Sequence, residues 1–310
     1  MTTATPTNRT TTETNDNDDT SADNLDDDVT DDDAHPSDHG FYQFAPRPSD
    51  EIGVFVAKTG DDANPGTMAE PKKTIGAGVA LAEAAGKSVF VAVGTYEESV
   101  NSKVSLYGGF NNAFSRREID LLETVIAATE DFGAKFDLPD SDAYVVLEGF
   151  TIRESETQYQ AGYDTTTGVA VSGGHIVLSR NIIYGGAGES TFGVDTDVAT
   201  PVIVRNKVYG TAFREERNRS TQSWAVAVGG SEDWYLCCLS ALLIGNVIDA
   251  GVTADRDHSL AVGLSVGFGA SAVAFNNVIS GGEARGYGSR SLVLTVWWSK
   301  AAFGYSFSHQ

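Results

Sequence analysis

VLSRNIIYGG (177–186), VIVRNKVYGT (202–211), LLIGNVIDAG (242–251) and VAFNNVISGG (273–282) are one pattern written four times. Counted from the central Asn181, Asn206, Asn246 and Asn277, position −4 is Val177, Val202, Leu242 or Val273, and position +2 is Ile183, Val208, Ile248 or Ile279. Position +4 is Gly185, Gly210, Ala250 or Gly281. Marking every second residue is the signature of a β-strand. An Asn in phase with the apolar positions points inward, where its amide is tolerated only if hydrogen-bonded, and stacked copies of the same Asn satisfy one another. Asn also accepts the left-handed backbone of a sharp bend. The repeat therefore predicts a right-handed, single-stranded parallel β-helix, an all-β fold whose coils stack on an Asn ladder.

The rest of the chain divides around that repeat. Residues 1–50 hold 13 acidic and 2 basic side chains, out of a net charge of −22 over 310 residues. They read as a disordered tail rich in Asp, Thr and Asn, with too little apolar surface to fold. Residues 51–310 read as the β-helix domain: cap and first coils at 51–110, Asn-marked coils at 144–282, and an irregular or truncated end at 283–310. PKKTIGAGVALAEAAGK, starting at Pro71, places Ile75, Val79 and Ala82 on one helical face and stops at Gly86. Such a short helix, opened by Pro71, would cap the apolar end of the first coil.

VFVAKTGDDANPGTMAEPKKTIGAGVALAEAAGKSVFVAVGTYEESV, from Val54 to Val100, resembles the opening of the pectin-lyase-like right-handed β-helix superfamily. In that superfamily a strand, a capping helix and a "V.V..GTY.E.V" strand start the solenoid. The likeness is to secreted or surface bacterial β-helix proteins whose N-terminal domain has no assigned function, and also to pectin methylesterases. YVVLEGFTI at Tyr144–Ile152 and the four Asn coils extend it to Gly282. The resemblance implies the fold and a preference for extracellular polysaccharide, and no reaction. The Gly-Tyr-Gln-Asp-Thr run of pectin methylesterases is absent. Of the polygalacturonase motifs only Asp195-Thr196-Asp197 and Gly174-His175-Ile176 give an echo, in the wrong order. No family catalytic residue is carried over.

The residues that follow each Asn by 6–12 positions are the richest in chemistry. They are Glu189, then Arg214, Glu215, Glu216 and Arg217, then Asp255, Arg256, Asp257 and His258, then Glu283 and Arg285. Stacked turn on turn they would form one charged face. Glu215, Glu216, Asp255, Asp257 and His258 are the candidates for acid/base catalysis there. Glu189, Arg214, Arg217 and Arg256 are candidates for binding sugar hydroxyls. Trp224, Trp234 and Tyr235 in the long third coil are candidates for stacking on a sugar ring. A solvated rim of loops and an ordinary aromatic core are the alternatives. Asp137, Asp140 and Asp142 read as turn formers, as do Asp61 and Asp62.

These readings lead to a noncatalytic extracellular or surface protein that binds carbohydrate or a surface partner. The alternatives are a polysaccharide lyase or glycoside hydrolase acting on acidic glycans, and a structural rod or adhesin. Calcium is the one cofactor the carboxylates suggest, although the Asp runs lack the Gly and Glu of a looped calcium site, and no metal site is expected. The acidic balance argues against nucleic acid, and no apolar stretch is long enough to span a bilayer. No signal peptide is visible at the start. Adjacent Cys237 and Cys238 favour neither a disulfide nor a metal site.

Overall fold

The computed structural model describes residues 45–138, 144–229, 239–253, 258–267, 269–296 and 300–303. The chain divides into two units, Met1–Phe41 and Tyr42–Gln310, of which the first lies outside the described residues. So do Asp140, Asp142, Trp234, Tyr235, Cys237, Cys238, Asp255, Arg256 and Asp257.

The second unit is a right-handed parallel β-helix. Its strands form three sheets of nine, seven and seven strands, here faces I, II and III. One coil shows the plan: His175–Ser179 lies on face I, Ile182–Tyr184 on face II and Ser190–Asp197 on face III. Each strand pairs in parallel with its counterparts one coil below and one above. The coil sense is the one that right-twisted strands impose on parallel crossovers.

Inward positions repeat from coil to coil, so like packs on like. Leu147, Leu178, Ile203 and Leu243 stack inside face I. Ile152, Ile183, Val208 and Ile248 do so inside face II, and Val169, Val194, Val226 and Leu264 inside face III. All twelve are fully buried. Each such side chain contributes about 1.5–3 kcal/mol relative to exposure.

The Asn ladder runs along the bend between faces I and II. Asn181, Asn206 and Asn246 are each 1% exposed. The backbone N–H of Asn181 donates to Asn206 Oδ1 at 2.9 Å, that of Asn206 to Asn246 Oδ1 at 2.8 Å, and that of Asn246 to Asn277 Oδ1 at 2.8 Å. Each Nδ2 donates down to the coil below, to the carbonyls of Leu147, Leu178, Ile203 and Leu243. The left-handed backbone falls one residue before the Asn, at Arg180, Arg205, Gly245 and Asn276 (φ 50 to 64°). This shift has a reason: the Asn side chain must face inward, so the preceding residue takes the strain of the bend and projects outward.

The cap is α1, Ile75–Ala85, with Ile75, Val79 and Ala82 buried against the first strands. It starts later than Pro71, because Thr74 accepts the Ala77 N–H as N-cap. Asp62 accepts from Lys73 and Thr74, and Glu98 accepts from Ile75 and Gly76, so two carboxylates satisfy the first free amides. Gly86 closes the helix at φ 63°. At the other end, Arg290–Val296 and Lys300–Phe303 continue faces III and I in register with the coil below.

Candidate functional site

Because the residue before each ladder Asn points out, two arginines stack on the outer ridge of the bend. Arg180 and Arg205 occupy that place one coil apart, about 4.8 Å in a stacked sheet. Just past the Asn, the outward position on face II carries Ile182, then Lys207 in register with it. Arg205 and Lys207 are exposed. Opposite them stands the segment 119–123, held in place when Glu118 donates its N–H to the Gly109 carbonyl and accepts those of Leu121 and Leu122. The wall can come this close only because Gly109 and Gly149 lack side chains. A Cβ at either would meet Ile119 at 2.8–2.9 Å, and both hold positive φ.

Between ridge and wall lies a groove of about 580 Å³. Arg180, Arg205 and Lys207 line one side, Asp120, Leu121 and Glu123 the other, and Thr124 and Thr151 are among the residues between them. The inner cation is fixed from below. Glu148, with its side chain fully buried, accepts from Arg180 Nε and Nη2 at 3.3 and 3.2 Å and from Ser179 Oγ at 3.2 Å, all on Oε1. Its Oε2 lies 3.0 Å from Arg117 Nη2 and accepts the Ala45 N–H at 3.1 Å. Burial lowers the Arg117 pKa, and the Glu148 carboxylate pulls it the other way. Glu148 thus lies between two guanidiniums and orients Arg180 at the head of the groove.

The turn that carries Arg214, Glu215, Glu216 and Arg217 folds onto the short helix α2, Glu156–Ala161. Buried Glu154 accepts the N–H groups of Phe213 and Arg214 at 2.9 and 3.2 Å. Arg217 pairs with Glu156, and the Arg217 and Arg219 guanidiniums lie 5.2 and 5.3 Å from the Tyr159 ring centre. Arg214, Glu215 and Glu216 are exposed. Glu189 is exposed, and its carbonyl accepts from Thr221 and Gln222, so the residues level with it in the next coil are these two. His258, exposed at φ 64°, donates its N–H to Tyr287 O, while Glu283 and Arg285 pair with each other at 3.0 Å. Trp224 stands on the outer side of face III, half-buried and stacked on Phe192 at 4.7 Å and 6°. One ring face is thus covered by Phe192, and the next position in that row is Val262.

Asp195 and Asp197 also project from face III. Burial pushes the Asp195 carboxyl up to about 6, with the Asp197 carboxylate adding to it. The sign follows from linkage. Below the unfolded value of about 3.9 both states are protonated and nothing is lost. Between that value and about 6 the folded protein keeps a proton the unfolded chain releases, so stability falls as pH rises, and above it the penalty is constant. Asp195→Asn is therefore expected to stabilise by about 1–2 kcal/mol near pH 7.5, with no gain near pH 3.5. Urea unfolding at the two pH values checks this; equal gains at both would refute it.

The groove escaped a reading centred on loops. Its signal lay inside the repeat, as a basic residue at −1 in two coils and at +1 in one. Among the described residues no group of three or more His, Cys, Asp or Glu is placed to hold a metal ion, and no helix is long and apolar enough to cross a membrane.

Fold and site together define a right-handed parallel β-helix with a cationic groove on its outer bend. Residues 58–107, from the turn after the first strand through α1 to Tyr107, match the model of a family described as a protein of unknown function (DUF1565). No curated protein and no solved structure matches the chain.

Proposed function

We propose that this is a noncatalytic, extracellular or cell-surface β-helix protein that binds an acidic glycan in the groove between Arg180, Arg205, Lys207 and the 119–123 wall. The observation that carries the reading is the cationic ridge itself, three basic side chains gathered on one bend of a chain whose net charge is −22. Stacked coils offer cations at a regular rise, suited to a polymer with repeated carboxylate or sulfate groups. Asp120 and Glu123 supply partners for sugar hydroxyls. Titration calorimetry with oligogalacturonate and with a sulfated oligosaccharide tests it. Arg205→Glu and Lys207→Glu, both at exposed positions, are expected to weaken binding about 5- to 30-fold each at unchanged thermal stability. Added salt is expected to weaken binding by the wild-type protein. Absence of binding by the wild type, or equal binding by the variants, overturns the proposal.

A hydrolase is the second reading, favoured by one observation. Asp195 and Asp197 alternate on one strand, about 7 Å apart, and one has a raised pKa. Release of reducing ends from a glycan, lost in Asp195→Asn, would replace the noncatalytic reading with this one.

A further inference from the structure

The rows that build the groove change character along the axis. On face II the outward row reads Ile182, Lys207, Val247, Val278. On the face I side of the ridge, outside the groove lining, fully buried Val204 is followed in register by Ile244 and Phe275. On the ridge, the two arginines give way to Gly245 and then Asn276. In these rows the lower two coils are cationic and the upper two are apolar or uncharged, with Asp249 two residues past Val247 on the same outer side. Val247, Val278 and Phe275 are 39%, 58% and 44% exposed, and Leu121 on the wall is 73% exposed. Scattered apolar residues on a surface need no explanation, but these follow one another in register and continue a charged groove. From Arg180 to Val278 the track crosses three coil steps, about 14 Å.

We propose that the groove takes an acidic sugar bearing an apolar aglycone, with the carboxylate at Arg205 and Lys207 and the alkyl or acyl chain along Val247, Val278 and Phe275. This rests on the glycan reading above and adds the second half of the ligand. The cations fix the polarity: an anionic head lies at the lower coils, and the open apolar track leads away from it toward the upper ones. Gly245, where the neighbouring ridge positions carry Arg205 and Asn276, leaves the chain room to pass.

The test compares methyl galacturonide, octyl galacturonide and uncharged octyl glucoside by calorimetry, below their micellar concentrations. The octyl uronide is expected to bind about tenfold or more tighter than the methyl uronide, and tighter than octyl glucoside. Val278→Asp and Phe275→Ser are expected to erase the octyl gain while leaving methyl uronide affinity unchanged. Lys207→Glu is expected to weaken both uronides. Equal affinity for the two uronides overturns this inference and leaves the glycan reading standing. Octyl glucoside binding as tightly as octyl galacturonide also overturns it, since the cations would then select nothing. Failure of both uronides to bind removes the glycan reading and this inference with it.

Discussion

Asn206→Ala is expected to lower the unfolding free energy by about 2–5 kcal/mol, more than a typical buried substitution. Asn206 sits in the middle of the ladder, 1% exposed. Its Oδ1 accepts from the Asn181 backbone N–H at 2.9 Å and from Asn181 Nδ2 at 3.1 Å, and its own Nδ2 donates to Leu178 O at 2.8 Å. Truncation leaves the Asn181 N–H without a partner, at about 1–3 kcal/mol, takes one donor from the Leu178 carbonyl, and adds the loss of the side chain's own packing. The position in the ladder sets the size. Asn277 accepts the same two donors from the coil below but is half-buried, where water can reach the groups its loss would free, so Asn277→Ala is expected to cost about 1 kcal/mol. Urea unfolding of both variants, followed by circular dichroism, checks the order. Equal losses at the two sites would mean that the amides are not coupled as a ladder.

The ladder was legible because a β-helix repeats its local solution, and a period of two with one polar residue in phase leaves little else to choose. What surrounds it was less legible, for reasons that particular residues show. Arg180 and Arg205 carry the left-handed bend although Arg has no preference for it; stacking of the following Asn imposes the conformation, and composition cannot announce it. Helix α1 begins at Thr74's cap because Asp62 and Glu98 satisfy its first amides, and Glu98, in the bend after the strand Gly94–Glu97, lies 23 residues further on than Ile75. The groove needs still longer connections. Ile119 must pack over Gly109 and Gly149, and Glu148 must meet Arg117 and Arg180 from opposite sides in sequence. Alternation counted from the Asn put Val177, Val202 and Leu242 inside, whereas the left-handed residue at the bend shifts the phase and turns Leu178, Ile203 and Leu243 inward; only the folded chain said which outward residues share a wall.

Glu148→Ala is expected to cost about 3–5 kcal/mol and to weaken uronate binding in the groove as well, whereas Arg117→Met is expected to cost about 1–2 kcal/mol. The asymmetry follows from what each change leaves behind. Without Glu148, two guanidiniums whose side chains are 14% and 21% exposed lose the carboxylate between them, and the Ala45 N–H and Ser179 Oγ lose an acceptor. Without Arg117, the carboxylate keeps Arg180, Ser179 and Ala45. Arg180 is the more exposed of the two cations, so in Glu148→Ala it is the one expected to swing toward solvent, abandoning its place at the head of the groove. The double change Glu148→Leu with Arg117→Leu separates charge from shape. It is expected to recover about half of the lost stability, since an apolar pair replaces a buried ion pair, but not the binding, because Arg180 has lost the Glu148 carboxylate that orients it. If the double variant recovered affinity together with stability, Glu148 would matter to the groove only as a filler of space, and the proposed role of Arg180 as its fixed inner cation would fail.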